Sequence, residues 1–254
     1  MAQFTGSKYI EDDFLNIARG QVKGASSIHK FGAVPAMSTG VTGTIWDKND
    51  TLYPWSAWDT PGVLTIATFA ANGASSTADT GKSVTILGLD ENYNDITETI
   101  AISGASGTGT KTFGRVYRAF VVGTTSNTTQ IRVSRGATEV LRIQIGLAQT
   151  LMAIYTVPAG YNAYLCQGVA SIQAGADATI NMFVRYSGGT TPFRVGHSGE
   201  VAGTGMPYHY KFTVPIKLPP KTDIDVRASV RSNNSRVTAS FDLILLDIEI
   251  DKGK

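Results

Sequence analysis

Residues 146–172 read GLAQTLMAIYTVPAGYNAYLCQGVASI, two extended apolar runs either side of a Val157-Pro158-Ala159-Gly160 turn. Met152, Ile154 and Thr156 alternate with Ala153, Tyr155 and Val157. Beyond the turn, Tyr161, Ala163, Leu165 and Gln167 alternate with Asn162, Tyr164 and Cys166. Alternation at period two, β-branched and aromatic residues and a Pro-Gly break predict two strands; a helix would repeat its apolar residues every three or four positions. One β-domain is expected before this stretch and a second after it.

Upstream, Val63–Phe69, Ser83–Leu89, Asp95–Ile102, Phe113–Val122, Gln130–Ser134 and Glu139–Ile145 have the same character, with Gly-, Ser- and Asn-rich turns between them. Short strands at such regular spacing predict an antiparallel sandwich. Downstream, Ala178–Tyr186, Tyr208–Ile216, Ile224–Val230 and Val237–Ile250 are further strands, and Thr190–Pro207 is expected as a long loop. Phe241–Ile250 is almost continuously apolar, as a buried central strand is.

The 254 residues leave room for two modest domains. Hydrophobic residues make up 42% and charged ones only 17%, enough to fill a core beneath a lightly charged surface. A net charge of +2 gives no electrostatic case for nucleic acid. Cys166 stands alone, so no intrachain disulfide can form and a small buried side chain is expected. The opening MAQFTGSKYIEDD lacks the basic and apolar regions of a secretory signal, and the chain contains no apolar run long enough for a membrane span. Synthesis and folding in a reducing cytoplasm are expected.

Residues 1–48 differ in character from the rest of the chain. Ile10, Phe14, Ile17 and Ala18 fall at i, i+4, i+7 and i+8, the spacing of a short helix, and Gly20 is placed to end it. Beyond it, glycines and a proline separate isolated apolar residues such as Ile28, Phe31, Val34 and Met37. This pattern predicts an extended arm that either lies on a partner or wraps over its own domain. All three tryptophans, Trp46, Trp55 and Trp58, come close behind. They are expected as interface anchors or as the edge of a core, with sugar stacking as the other option.

Three phrases, in order, carry a family resemblance: Ile28-His29-Lys30-Phe31-Gly32 before Thr44-Ile45-Trp46-Asp47, Gly88-Leu89-Asp90-Glu91-Asn92-Tyr93-Asn94 before Thr97-Glu98-Thr99, and Tyr155-Thr156-Val157-Pro158-Ala159-Gly160 before Pro219-Pro220-Lys221-Thr222-Asp223-Ile224. Together they resemble a family of virion structural proteins of tailed bacteriophages, over residues 28–250. The resemblance implies a particle component with a jelly-roll-like C-terminal domain. Its motifs are turn and strand signatures, and it brings no active site with it.

Chemistry is sparse. His29, His197 and His209 show no His-x-x-x-His spacing, and one cysteine cannot build a zinc site. No Gly-x-Ser-x-Gly elbow occurs. Thr80-Gly81-Lys82-Ser83 imitates the end of a phosphate-binding loop, but Ser76 stands where its first glycine belongs, and a strand comes next in place of a helix. Asp90, Asn92 and Asn94 have the alternate spacing of a calcium loop, yet Asp95 replaces its glycine and Ala101 its final glutamate. A turn is expected there. Asp247, Glu249 and Asp251 would share one face of the last strand, as a solvated face or an acidic rim at a subunit contact.

The expected fold is all-β: an extended N-terminal arm with a short helix over 1–48, an antiparallel β-sandwich over 49–146, and a second, jelly-roll-like sandwich over 147–254. The expected function is architectural. It is that of a non-enzymatic tailed-phage virion protein, with no catalytic residue, metal or cofactor, decorating or cementing the head or sitting at the neck or tail. Its partners would be its own copies, most simply in a trimer, and the major capsid protein or neck and tail proteins, with neither nucleic acid nor membrane. Ile10, Phe14, Ile17 and Phe31, with Trp46, Trp55 and Trp58, would dock into grooves of neighbours. The alternative is a glycan-binding, host-recognition module using the loop around His197 and Tyr208.

Overall fold

The computed structural model describes residues 13–48, 50–203 and 206–253. Helix α1 (Asp13–Ala18) leads to β1 (Ala25–Met37) and β2 (Thr42–Thr44). Then come β3 (Leu64–Phe69), β4 (Ser83–Leu89), β5 (Asp95–Ala101), β6 (Ser106–Thr108), β7 (Arg115–Val122), β8 (Gln130–Arg135) and β9 (Thr138–Ile143). The stretch around Pro158 forms β10 (Ile154–Thr156) and β11 (Tyr161–Ile172). The described chain closes with β12 (Ala178–Arg185), β13 (Arg194–Val201), β14 (Tyr208–Leu218), β15 (Asp223–Val230), β16 (Ser235–Asp247) and α2 (Ile248–Asp251). The fold is all-β and its named sheets are antiparallel.

One group of strands pairs by nesting. β1 pairs with β16, β10 with β15, β11 with β14 and β12 with β13. The outgoing half of this chain lies beside its returning half, outermost strand to outermost and innermost to innermost. Cross-pairs β11–β16 and β12–β15 join these ladders into two sheets, ordered β1-β16-β11-β14 and β10-β15-β12-β13. Val34, Leu165, Ile180, Val226, Phe241 and Leu243 from both sheets fill a single core. β16 sits centrally and alternates buried with half-buried residues, so one face carries the apolar residues inward.

The remaining strands are an insertion into that nest. β2 lies along β15 at Arg227–Ser229 and β10 lies along it at Asp223–Asp225, two pieces of one interrupted strand. The chain leaves after Ile45 and returns at Ala153. Trp46 bridges to Met152, and the Ala153 N–H donates to the Ile45 carbonyl at 2.9 Å. Residues 46–152 make sheets β6-β3-β8-β9 and β5-β4-β7. A second core, with Leu64, Ile66, Val84, Ile86, Ile131 and Leu141, lies within them.

Four expectations change. The segment expected as an arm contains a strand: β1 runs beside β16 for thirteen residues and supplies Val34 and Met37 to the core. Its glycines and proline hid the alternation. Gly32 is there for space, because a Cβ would lie 2.3 Å from the Ile45 carbonyl oxygen and 2.4 Å from the Ala153 nitrogen. Second, β10 and β11 are both strands, but the turn between them carries the chain from one sheet to the other. Third, the expected loop over 190–207 contains β13, whose Gly199 makes room for the Tyr208 ring, 2.7 Å from where a Cβ would sit. Fourth, β16 stops at Asp247, which caps α2 by accepting from the Glu249 N–H at 2.8 Å. Asp247, Glu249 and Asp251 therefore do not share a strand face. Asp251 instead accepts from Lys217 at 2.5 Å and from Asn162 and Tyr164 at 2.7 Å.

Because backbone meets backbone at Gly32, nothing flexible can yield. Gly32→Ala should destabilise the protein by about 1–3 kcal/mol, the usual cost of overpacking, read as a lower denaturant midpoint.

Candidate functional site

The strongest polar constellation lies where the two cores meet. Asp223, at the start of β15, has no exposed surface. Its Oδ1 accepts from Arg115 Nε at 2.9 Å and from Thr156 Oγ1 at 2.7 Å. Its Oδ2 accepts from Arg185 Nε and Nη2 at 2.9 and 2.7 Å and from Arg115 Nη2 at 3.2 Å. Arg115 belongs to β7 of the insertion, whereas Arg185 ends β12 of the nested sheets. Two residues along β15, Asp225 accepts from Trp55 Nε1 at 2.9 Å, Thr44 Oγ1 at 2.8 Å and Arg227 Nε at 2.8 Å. Burial pushes the Asp225 carboxyl above its usual range, against the pull of Arg227. Aromatic rings close the cluster: Trp55 lies 5.4 Å from the Arg185 guanidinium, and Phe193 lies 4.6 Å from Arg185 and 4.9 Å from Arg227. Buried charges persist when such pairing satisfies their hydrogen bonds. The carboxylates and guanidinium groups here engage one another, an arrangement that joins two bodies.

Asp47, at the crossing between the cores, is different. It is 2% exposed, accepts from the Leu151 N–H at 2.5 Å through Oδ2, and has no partner for Oδ1. Burial pushes its carboxyl from 3.8 to about 8, outweighing the Leu151 hydrogen bond and the Arg142 charge.

The expected anchors separate. Trp46, Trp55 and Trp58, expected as interface anchors or as the edge of a core, are only 1%, 6% and 4% exposed and belong to the insertion's own core. Trp46, Tyr53 and Trp55 stack edge to face at 5.2 and 4.9 Å, sealing the point where the chain leaves the nested sheets. Ile10 lies outside the described residues. Phe14 is 56% exposed on α1, Ile17 is half-buried there, and Phe31 is half-buried on β1. The structure thus brings the tryptophans together and leaves the α1 residues apart from them.

Phe14 lines a groove of about 1060 Å³ between α1 and β14, with Cys166, Phe212, Pro215 and Leu243. His29 there hydrogen-bonds Asp242 through Nδ1, and Gln167 Nε2 also donates to Asp242 at 2.5 Å. Burial pushes the Cys166 thiol up, so it is a small buried side chain. His197 and Tyr208, expected in a loop able to meet a glycan, instead face each other from β13 and β14. The His197 ring packs 3.8 Å from that of Tyr210, and its Nε2 is 3.4 Å from the Tyr208 hydroxyl. The cavity beside these rings measures about 50 Å³, room for a water or two and not for a sugar. Asp90 accepts from the Asn92 and Asn94 N–H groups at 2.8 and 2.9 Å, the geometry of a turn.

Asp223 and its partners escaped sequence reasoning. The arginines stand 70 residues apart in the chain, and Arg115 is 108 residues from Asp223. Aspartate in an otherwise buried β15 was the available signal.

No family model matches the chain, and no curated protein does. Two solved structures show a distant similarity. One, "Structure of infectious bursal disease virus Gx strain", is 10% identical with a TM-score of 0.23, covering 89% of this chain and 73% of that one. The other, "Crystal structure of infectious bursal disease virus VP2 subviral particle", is 10% identical with a TM-score of 0.22, covering 88% and 71%. Both come from virus particles, and at such scores neither fold nor function is carried over.

Asp223→Ala leaves two buried guanidinium groups facing each other and should cost about 3–5 kcal/mol, measurable by chemical denaturation. For Asp47 the folded pKa is raised, so its stabilisation is complete below about pH 4 and is lost as pH rises through about 8. Replacing it by Asn should reduce the loss of denaturant midpoint between pH 5 and pH 8.5 relative to the wild type.

Proposed function

We propose that this chain is a structural component of a virus particle, and specifically a tailed-phage virion protein that assembles symmetrically on the head or at the neck or tail. The observation that carries this reading is the nested pairing, β1 with β16, β10 with β15, β11 with β14 and β12 with β13. A long antiparallel hairpin rolled into two facing sheets is a jelly roll, an architecture that viral capsid domains use. Residues 46–152 then form a second sandwich inserted between the two pieces of one jelly-roll strand. The sequence resemblance over 28–250 supports the phage assignment. The surface of α1, where Phe14 is exposed, offers an apolar contact for neighbouring subunits.

Quantitative mass spectrometry of gradient-purified particles tests the proposal by counting this chain against the major capsid protein. Copies on the order of hundreds place it on the head, and about a dozen or fewer place it at the neck or tail, as closed rotational symmetry requires. Absence from the particle would overturn the proposal.

A further inference from the structure

The two cores meet along a seam whose sides differ chemically. On one side Asp223 is shared by Arg115 and Arg185, at 2.9 and 2.7 Å. On the other, Lys30 of β1 reaches β7. It is 7% exposed, donates from Nζ to the Tyr117 carbonyl, and lies 5.7 Å from the Tyr117 ring centroid. The groups around it offer no counter-charge at ion-pair distance. β7 contributes Tyr117 and the cation Arg118, while Tyr155 of β10 packs against Tyr117 at 5.1 Å. The Tyr117 hydroxyl donates to Asp95 of β5 at 3.1 Å, so that carboxylate meets the phenol and not the amine. From β16 the register partner is Phe241. Among the described residues Lys30 has no ion-pair partner.

We propose that Lys30 is a proton-operated latch on the joint between the nested sheets and the inserted unit. As a neutral amine it keeps β1 closed on β7. As an ammonium it favours release of that side, while the Asp223 network holds the other. The physical reason is that an amine can donate to a carbonyl without charge, whereas an ammonium sealed from water has lost its hydration and gained only one acceptor and one ring.

Burial, with the Arg118 charge adding to it, lowers Lys30 from 10.5 to about 7. Once the latch opens, water restores the ordinary value, so the open form binds the proton more tightly. A fall in pH from 10.5 to about 7 therefore shifts the balance toward opening, and below 7 the shift levels off. Asp47, whose neutral form suits the closed joint, has the opposite sign and loosens as pH rises. Removing the Asp47 carboxyl therefore isolates the Lys30 effect.

Hydrogen exchange of the full chain carrying Asp47→Asn, which removes the opposing carboxyl, at pH 6.0 and pH 8.5 and corrected for the intrinsic rate at each pH, reads the latch directly. Segments of β1 around Lys30 and of β7 around Tyr117 should exchange at least about tenfold faster at pH 6.0, since each unit of pKa difference is a factor of ten. The segment Asp223–Asp225 should not change, and Lys30→Met combined with Asp47→Asn should be equally protected at both values. Uniform protection in Asp47→Asn, or a step that survives when Lys30→Met is added to it, would overturn the proposal. A step of opposite sign would overturn it too. Should Lys30→Met fail to fold by circular dichroism, carbon-13 titration of the lysine side chains in the wild type decides. A Lys30 midpoint near 7 supports the latch and one near 10 overturns it.

Discussion

A carboxylate without any exposed surface must find its counter-charges inside the protein, and Asp223 finds two. Meeting that requirement ties Arg115 on the insertion to Arg185 on the nested sheets. Their approach shapes the chain around them. Ser187, Gly188 and Gly189 take successive left-handed conformations over the pair, and a Cβ at Gly189 would sit 3.2 Å from the Arg185 Cζ and 3.3 Å from Arg115 Nη2. Tyr93 completes the fit, accepting from Arg115 Nη2 at 3.1 Å and donating to the Gly188 carbonyl at 2.8 Å. Turns, rings and glycines at this place are all arranged around one buried charge.

The same strand also carries the connectivity. β15 holds Asp223 and Asp225, and it is the strand along which β2 and β10 lie as two pieces. The chain therefore leaves for the insertion, and returns from it, within a few residues of the ion cluster. An inserted unit with two adjacent chain crossings is already constrained in position; the Arg115 and Trp55 hydrogen bonds to β15 add further ties. Lys30 and Asp47 sit on the same joint without such pairing. One side of the joint is held by paired side chains around Asp223, and Lys30 and Asp47 are lone titratable groups whose burial disfavours the charged form.

How much of this is legible in the sequence depends on the range of the interaction. β3, β4, β5, β12 and β15 lie close to their predicted bounds, because period-two alternation is a local consequence of one face being buried. β1 and β13 escape prediction for a local reason as well. Glycines break their patterns, and their purpose at Gly32 and Gly199 is to let a distant backbone or ring approach. The tryptophans show a different limit. Clustered aromatics indicate a large buried contact, and whether the partner is another chain or another part of the same chain is a question of topology.

The sequence by itself determined that the chain is β-rich, where most strands run, that Cys166 is small and buried, and that Asp90 opens a turn. These depend on neighbours within a few residues, where side-chain period and turn chemistry suffice. Only the tertiary structure decided that residues 25–37 belong in a sheet with the last strand, that 46–152 interrupt one strand, and that Asp223, Arg115 and Arg185 converge. Such contacts join positions tens to hundreds of residues apart, and no local pattern encodes which distant charge will neutralise a buried one.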